Sequence, residues 1–418
     1  MTKMTRRSLL QASVLGLSAA HGLRQRADAA IKKMKITRVR MYESNINRPI
    51  FNQSHHVVTV ETDAGITGIG EGGSPDMMAQ LAAQIIGKDP LQIDALWQLM
   101  YRGYFYPSGR EKLHAQGGLD LALWDIKGKA LNVPVWELLG GRARDHVECY
   151  ATGYPSKGST KETAKACVAA GFRAFRTGVV DGGRLTHGAG AGQVKPFEPK
   201  RAVTDTFEHC KQIREGVANN GDWAIDYHTR LDFPEAVRLS TLIEPLEPYF
   251  VEDLVRSENA GVYKQLRPLV KVPIAVGEQF GDRWDLNELV EGRLIDYSRV
   301  SIPNCGGITE FMKIAALCET HYVGLVPHFT GPISEAALVH CCAVFSGPTL
   351  MEMRGEGPLN PNYLPKDFDF KDGKLYPNER PGLGIEFDAS KVKLMLEVTK
   401  HAQEIQVFRR PDGSLTNW

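Results

Sequence analysis

The sequence predicts an α/β protein: a closed parallel barrel preceded by a smaller α+β domain. Three observations carry this. First, short apolar or β-branched runs end at acids: DWAIDYH at Asp226, FVEDL at Glu252 and VPIAVGEQ at Glu278. Second, the intervals 226–252 and 252–278 are equal and close to the about 30 residues of one strand–helix–strand unit. Third, the ladder runs on at near-equal steps through Ser301 in DYSRVSI, His328 in YVGLVPH and Glu352 in PTLMEMR. It starts with HVECYAT, around Cys149, and AFRTGVV, around Arg176. These eight strand candidates alternate with helical patterns such as 308–319. Alternation argues for a parallel sheet, and eight units argue for closure.

The elements follow in order. MKITRVRMYES alternates as a strand does. HHVVTVETDAGITGIGEG is two runs split by Asp63-Ala64-Gly65, a hairpin signal. Between them lies the polar loop NINRPIFNQS. Residues 76–103 read as helical, with Met77, Leu81, Ile85 and Ile86 on one face. A long helix follows in GGLDLALWDIKGKALNVPVWELLGG, with Leu119, Leu123 and Ile126 on one side; Gly140-Gly141 close the short segment after Pro134. After the second barrel strand comes the long loop GGRLTHGAGAGQVKPFEP, whose His187 reads as solvent-exposed. Residues 357–395 are rich in Pro, Asp and Gly, and 391–405 read as a last helix. The division is 1–29 leader, 30–145 α+β domain, 146–356 barrel and 357–418 C-terminal segment.

The leader has its own logic. Arg6-Arg7 precedes an apolar run from Leu9 to Ala20, and Ala27-Asp28-Ala29 supplies small residues for cleavage. That is the pattern of a secretory signal. The paired arginines make it similar to the twin-arginine type, which exports folded proteins to the periplasm or beyond. The chain has 418 residues, 43% hydrophobic and 24% charged, as soluble enzymes do. A net charge of +1 provides no field for nucleic acid or an anionic membrane, and nothing after residue 30 is long and apolar enough to span a bilayer. Seven cysteines without a C-x-x-C are no disulfide framework and read as small buried hydrophobes.

Active sites of parallel barrels form at the C-terminal ends of the strands. Asp226, Glu252 and Glu278 converge there and repel one another unless a cation joins them. Oxygen-only ligation suits a hard ion, Mg²⁺ first and Mn²⁺ second.

The stretches GLDLALWDIKGKALNVPVWELLGG, DWAIDYH, FVED, IAVGEQ, NCGGITE, PHFTGPIS and PGLG resemble the enolase superfamily. Within it they resemble the mandelate racemase group, which includes acid-sugar dehydratases; the likeness spans nearly all of 32–390. The resemblance implies an α+β capping domain, a modified (β/α)₇β barrel and a C-terminal segment returning to the cap. It also implies a carboxylate substrate that loses its α-proton, and an assembly of identical subunits. Removing that proton leaves a doubly charged enediolate, which a divalent metal holds in place. By resemblance Asp226, Glu252 and Glu278 are the metal ligands. His228, two residues beyond Asp226 and so on the same strand face, matches the acid that helps a β-hydroxyl leave. His328 matches the seventh-strand general base, and Glu352 an eighth-strand acid that bonds the substrate carboxylate or intermediate.

Three features depart from the family pattern. A sixth-strand Asp partners the seventh-strand His in many relatives; here Ser301 stands at that position, and a hydroxyl cannot offset imidazolium charge. Racemases of the group carry Lys-x-Lys on the second strand, where this chain has Arg176-Thr177-Gly178. Gly178 cannot be a base, and Arg176 stays protonated, so it stabilises charge or binds substrate. PHFTGPI is one residue shorter between His and Gly than the dehydratase pattern. The cap loop before His55 and His56 is expected to reach the barrel mouth, with at most one of the two facing the site. The function expected is Mg²⁺-dependent dehydration of a sugar acid. Two alternatives stay open: an epimerase or cycloisomerase on the same scaffold, and a binding protein whose chemistry has decayed.

Overall fold

The computed structural model describes residues 33–44, 55–186, 196–365, 369–402 and 407–416. The leader, the loop 45–54 and His187 lie outside the described residues.

The capping domain begins with strands β1 (Ile36–Glu43), β2 (Val57–Thr62) and β3 (Thr67–Glu71), which pair antiparallel. The helical stretch that follows is two helices, α1 (Pro75–Ile85) and α2 (Ile93–Arg102). Gly87, at φ +79°, and Pro90 break it between them. The long helix α3 (Arg110–Leu131) then crosses the sheet and stops at Asn132, whose φ of +57° is the left-handed C-terminal turn. The strand sequence TGIGE explains how closely they meet. A Cβ on Gly68 or Gly70 would lie 2.0 or 1.9 Å from the carbonyl oxygens of Ala122 and Gly118 on α3. A short helix, α4 (Val135–Leu138), leads to the barrel.

The barrel strands are β4 (Val147–Thr152), β5 (Ala174–Gly178), β8 (Asp222–Asp226), β9 (Val251–Glu252), β10 (Ile274–Val276), β11 (Tyr297–Ser298), β12 (Gly324–Leu325) and β13 (Met351–Arg354). A small hairpin, β6 (Val180–Asp181) and β7 (Arg184–Leu185), rises after β5. All neighbouring barrel pairs are parallel. The ring closes where β13 pairs β4 and Leu325 bridges Thr349. Helices follow the first seven barrel strands: α5 (Thr160–Ala169), α6 (Pro199–Val217), α7 (Phe233–Ile243), α8 (Tyr263–Leu266), α9 (Arg283–Glu291), α10 (Ile308–Thr320) and α11 (Pro332–Val344). No α-helix follows β13 among the described residues, which is the (β/α)₇β pattern. The antiparallel pair β14 (Asp369–Lys371) and β15 (Lys374–Tyr376) lies beside β4.

The last helix expected over 391–405 is not formed: β16 (Lys393–Val398) is a strand paired antiparallel with β1. Leu396 and Val398 alternate with exposed residues and pack on the cap core. Glu397 ties the strand to Arg40 at 2.7 Å. Period-2 burial and a waiting sheet edge outweigh the helix propensity of Lys, Leu, Met and Glu.

Two acids on α3 bolt the cap to the rest. Asp120 accepts the backbone N–H of Thr309 at 3.0 Å and its hydroxyl at 2.6 Å, so the cap supplies the N-terminal capping group of α10. Asp125 accepts N–H groups of Ile69 at 3.0 Å and Leu383 at 2.8 Å, joining hairpin, helix and C-terminal segment. Trp97 donates to the Gly306 carbonyl at 2.7 Å. These contacts set the cap over the loop that follows β11, at the C-terminal end of the strands.

Candidate active site

Barrel strands send alternate residues inward. One buried layer inside the ring is apolar: Tyr150, Ala174, Ala224, Phe250, Ala275, Val326 and Leu350. Two residues further along these strands the layer turns polar. Thr152, Arg176, Asp226, Glu252, His328 and Glu352 each stand two positions beyond a member of the apolar layer. The acids predicted at the strand ends are thus together because of the strand period.

The period breaks at three places, each with a backbone cause. Gly277, at φ +158°, presses on the chain just past β11, where a Cβ would lie 2.5 Å from the Val300 nitrogen; Glu278 follows it and turns inward. Asp253, directly after Glu252, is buried at φ +44°. His228 lies beyond the end of β8 at φ +46°, followed by Thr229 at +57°. Its approach to the site therefore comes from a left-handed turn and not from the strand alternation expected. Such conformations cost about 1–3 kcal/mol each and gather at functional sites.

The charged groups interlock. Arg176 reaches Asp226 at 3.2 Å, Glu252 at 2.5 Å and Glu352 at 2.9 Å. Arg299, fully buried, reaches Glu252 at 2.7 Å, Glu278 at 3.2 Å and Glu352 at 2.8 Å, and also donates to the Tyr150 hydroxyl. Glu352 further accepts the Thr152 hydroxyl at 2.5 Å. The two histidines bracket Glu278: His228 Nδ1 is 3.8 Å from Oε1, and His328 Nε2 is 3.5 Å from Oε2. His228 Nδ1 also lies 3.3 Å from Asp226, whose other oxygen accepts the His228 N–H at 2.6 Å.

The electrostatics follow from this wiring. Contact with Asp226 raises the His228 pKa despite burial. Burial lowers that of His328, against the pull of Glu278 and Glu352. The imidazoles are pushed in opposite directions, one toward holding a proton and one toward accepting it. Burial lifts Glu352, but Arg176 and Arg299 outweigh it and hold the carboxyl down at about 2. Burial lifts Glu252 and Asp253 well above the carboxylate range, and neighbouring acids add to it.

Among the described residues, the acids whose oxygens lie within 4.8 Å of one another are Glu252, Asp253 and Glu278. This differs from the set Asp226, Glu252 and Glu278. Asp226 is turned toward Arg176 and His228, and the unanticipated Asp253 joins. The donor set nevertheless fits a hard divalent ion. Every donor is a carboxylate oxygen, and five acids face two guanidiniums; ionised, they carry an excess of negative charge that a divalent ion would offset.

Ser301 is fully buried, but neither its hydroxyl nor His328 Nδ1 has a hydrogen-bond partner among the described residues. The sixth strand therefore gives His328 no hydrogen bond among the described residues, in line with the departure noted at Ser301. His55 does not stand free at the mouth: it lies 3.5 Å from buried Glu71, which accepts the Ser334 N–H at 2.9 Å. The His56 carbonyl accepts the Gly72 N–H in the same hairpin. Arg299 and Asp253 escaped the sequence reading. Their signals were an arginine two positions before Ser301 in an apolar run, and a second acid beside Glu252.

Comparison with known proteins agrees with this geometry. Residues 39–140 match the mandelate racemase / muconate lactonizing enzyme N-terminal domain, and residues 159–391 match the enolase C-terminal domain-like family. A D-galactonate dehydratase from Xanthomonas oryzae pv. oryzae is 36% identical over 401 residues, 92% of this chain and 100% of the relative. A D-galactonate dehydratase from Ralstonia pickettii is 35% identical over 402 residues, with the same coverage. An enolase-superfamily member from Salmonella Typhimurium superposes with TM-score 0.77 at 27% identity, covering 87% of this chain and 100% of that one. An enolase from Agrobacterium radiobacter, solved with sodium and L-malate bound, superposes with TM-score 0.75 at 28% identity over 91% and 99% of the two chains. The chain belongs to the mandelate racemase / muconate lactonizing enzyme family of the enolase superfamily.

Proposed function

We propose that the protein is a hydro-lyase that dehydrates a sugar acid, an aldonate of the D-galactonate type, to a 2-keto-3-deoxy acid. The observation that carries this is the pair of imidazoles on opposite oxygens of Glu278. Dehydration needs one group to take the α-proton and another to give a proton to the departing β-hydroxyl. His328 takes the first role and His228 the second. The α C–H and β C–O bonds break, a C=C bond forms, and water leaves; the enol then tautomerises to the ketone. Arg176 is held by Asp226, Glu252 and Glu352, and Gly178 has no side chain, so the second strand offers no partner base for racemisation. The relatives named D-galactonate dehydratase support the choice of substrate.

Asp226, Glu252 and Glu278, with Asp253 beside them, are the residues we assign to Mg²⁺, with Mn²⁺ as a substitute. Bound there, the ion supplies positive charge beside the substrate carboxylate, which makes the α-proton more acidic. Mg²⁺ should raise the melting temperature of the wild type by mass action and leave that of Glu278→Gln unmoved. A flat response in the wild type would remove the metal assignment.

The test of function is keto-acid formation from a panel of aldonates and aldarates with Mg²⁺. His328→Asn should lose both turnover and solvent-deuterium exchange at the α-carbon, each ~10²–10⁴-fold. His228→Asn should keep the exchange and lose the keto acid. Unchanged turnover in His228→Asn would end its role as the acid, and exchange without keto acid in the wild type would point to an isomerase.

We further propose export through the twin-arginine route, supported by Arg6-Arg7, the apolar run and Ala27-Asp28-Ala29. The described cysteines are all unpaired and buried, as suits folding before export. Arg6→Lys with Arg7→Lys should leave the protein in the cytoplasm. Assembly into a homo-oligomer is proposed from the family, and light scattering measures it.

A further inference from the structure

His328 lacks the support its role requires, since Ser301 does not bond it and its Nδ1 has no partner among the described residues. Something else must hold the ring. Its neighbour Phe329 stacks beside it, with centroids 5.6 Å apart and planes at 16°. On Phe329 sits the guanidinium of Arg354, 4.4 Å from the ring centroid. Arg354 belongs to β13, two residues beyond Glu352. Glu352 itself accepts the Phe329 N–H at 3.4 Å. The last barrel strand therefore touches Phe329 at both its backbone and its ring.

Arg354 is anchored in turn. Its Nη1 lies 3.3 Å from Oε1 of Glu335, a fully buried acid in the first turn of α11. That turn is pinned from the cap: Glu71 accepts the Ser334 N–H at 2.9 Å. A Cβ on Gly331 would lie 1.9 Å from Glu71 Oε1. The short His328-Phe329-Thr330-Gly331 loop is thus clamped between cap, α11 and β13.

We propose that Arg354 is a positioning residue for His328: the Arg354–Phe329–His328 stack, braced by Glu335, replaces the carboxylate that orients this imidazole in relatives. A guanidinium on an aromatic face is attracted to the ring quadrupole, most strongly where water is excluded. The stack fixes the plane of the imidazole and aims Nε2 at the site without adding charge to the ring. The inference rests on His328 being the base.

The experiment measures kcat and KM for Arg354→Met, Arg354→Lys and Phe329→Leu, with crystal structures of the variants. A base displaced by a fraction of an ångström loses rate more than affinity. Arg354→Met and Phe329→Leu should lower kcat roughly tenfold or more with KM within about twofold, and Arg354→Lys should recover part of the loss. In the crystals the His328 ring should turn away from Glu278. Should Arg354→Met fold poorly because Glu335 loses its partner, Arg354→Met with Glu335→Gln removes that liability. Unchanged kcat in both stack variants, or an unmoved His328 ring in the crystals, would overturn the proposal. If the wild type turned over no sugar acid, the assigned function would fail, and the crystal structures would still decide the stack.

Discussion

Arg299 has no exposed surface and contacts Glu252, Glu278 and Glu352. Removing one partner of a buried charge cluster leaves the others uncompensated, which costs about 3–5 kcal/mol. Arg299→Met should lower stability by that order, read from the urea midpoint, whereas Arg256→Gln on the surface should not. Most of the polar layer was legible because it obeys a simple period: Arg176, Asp226, Glu252, His328 and Glu352 each fall on the inward phase of a strand. Asp253 was illegible because it reaches the site through a positive φ angle, which no alternation pattern reports. His228 was named as a site residue, but a positive φ and not the strand period brings it there. Arg299 stands two positions beyond Tyr297, which packs on the apolar layer, and so shares the inward phase.

At the level of elements, Asp120 makes a prediction about pH. It is buried between α3 and the start of α10, and burial lifts it from its ordinary 3.8 to about 7 despite the bonds from Thr309. Between those values the folded chain keeps a proton that the unfolded chain releases. Stability from this group is therefore present below pH 3.8 and lost as pH rises through about 7. Asp120→Asn should flatten that part of the profile, so the wild-type and variant urea midpoints should differ in slope between pH 3.8 and about 7 and run parallel on either side of that window. The helices and strands of cap and barrel were readable from periodicity and turn residues. β16 was not, because its residues favour a helix in isolation and only the open edge of β1 makes them a strand. Gly87 and Pro90 are the sequence signal for the split of the first helical stretch.

For the whole molecule, β16 and the Asp125 junction join regions far apart in sequence. Arg40 and Glu397 meet across the β1–β16 pair at 2.7 Å. A chain ending at Lys391 would leave β1 as an uncovered edge, with the cap core open where Leu396 and Val398 pack. That truncation should melt at a lower temperature and aggregate sooner, as calorimetry and light scattering would measure. The barrel, built from consecutive strands, should hold its secondary structure better than the cap in hydrogen exchange.

The β1–β16 pair also bears on timing. During synthesis the first strand emerges long before its partner, and every barrel stave is made in between. The lid over the catalytic mouth therefore stays unfinished until translation is nearly over. A nascent chain held on the ribosome short of residue 393 should be unable to process substrate, however well its barrel has formed.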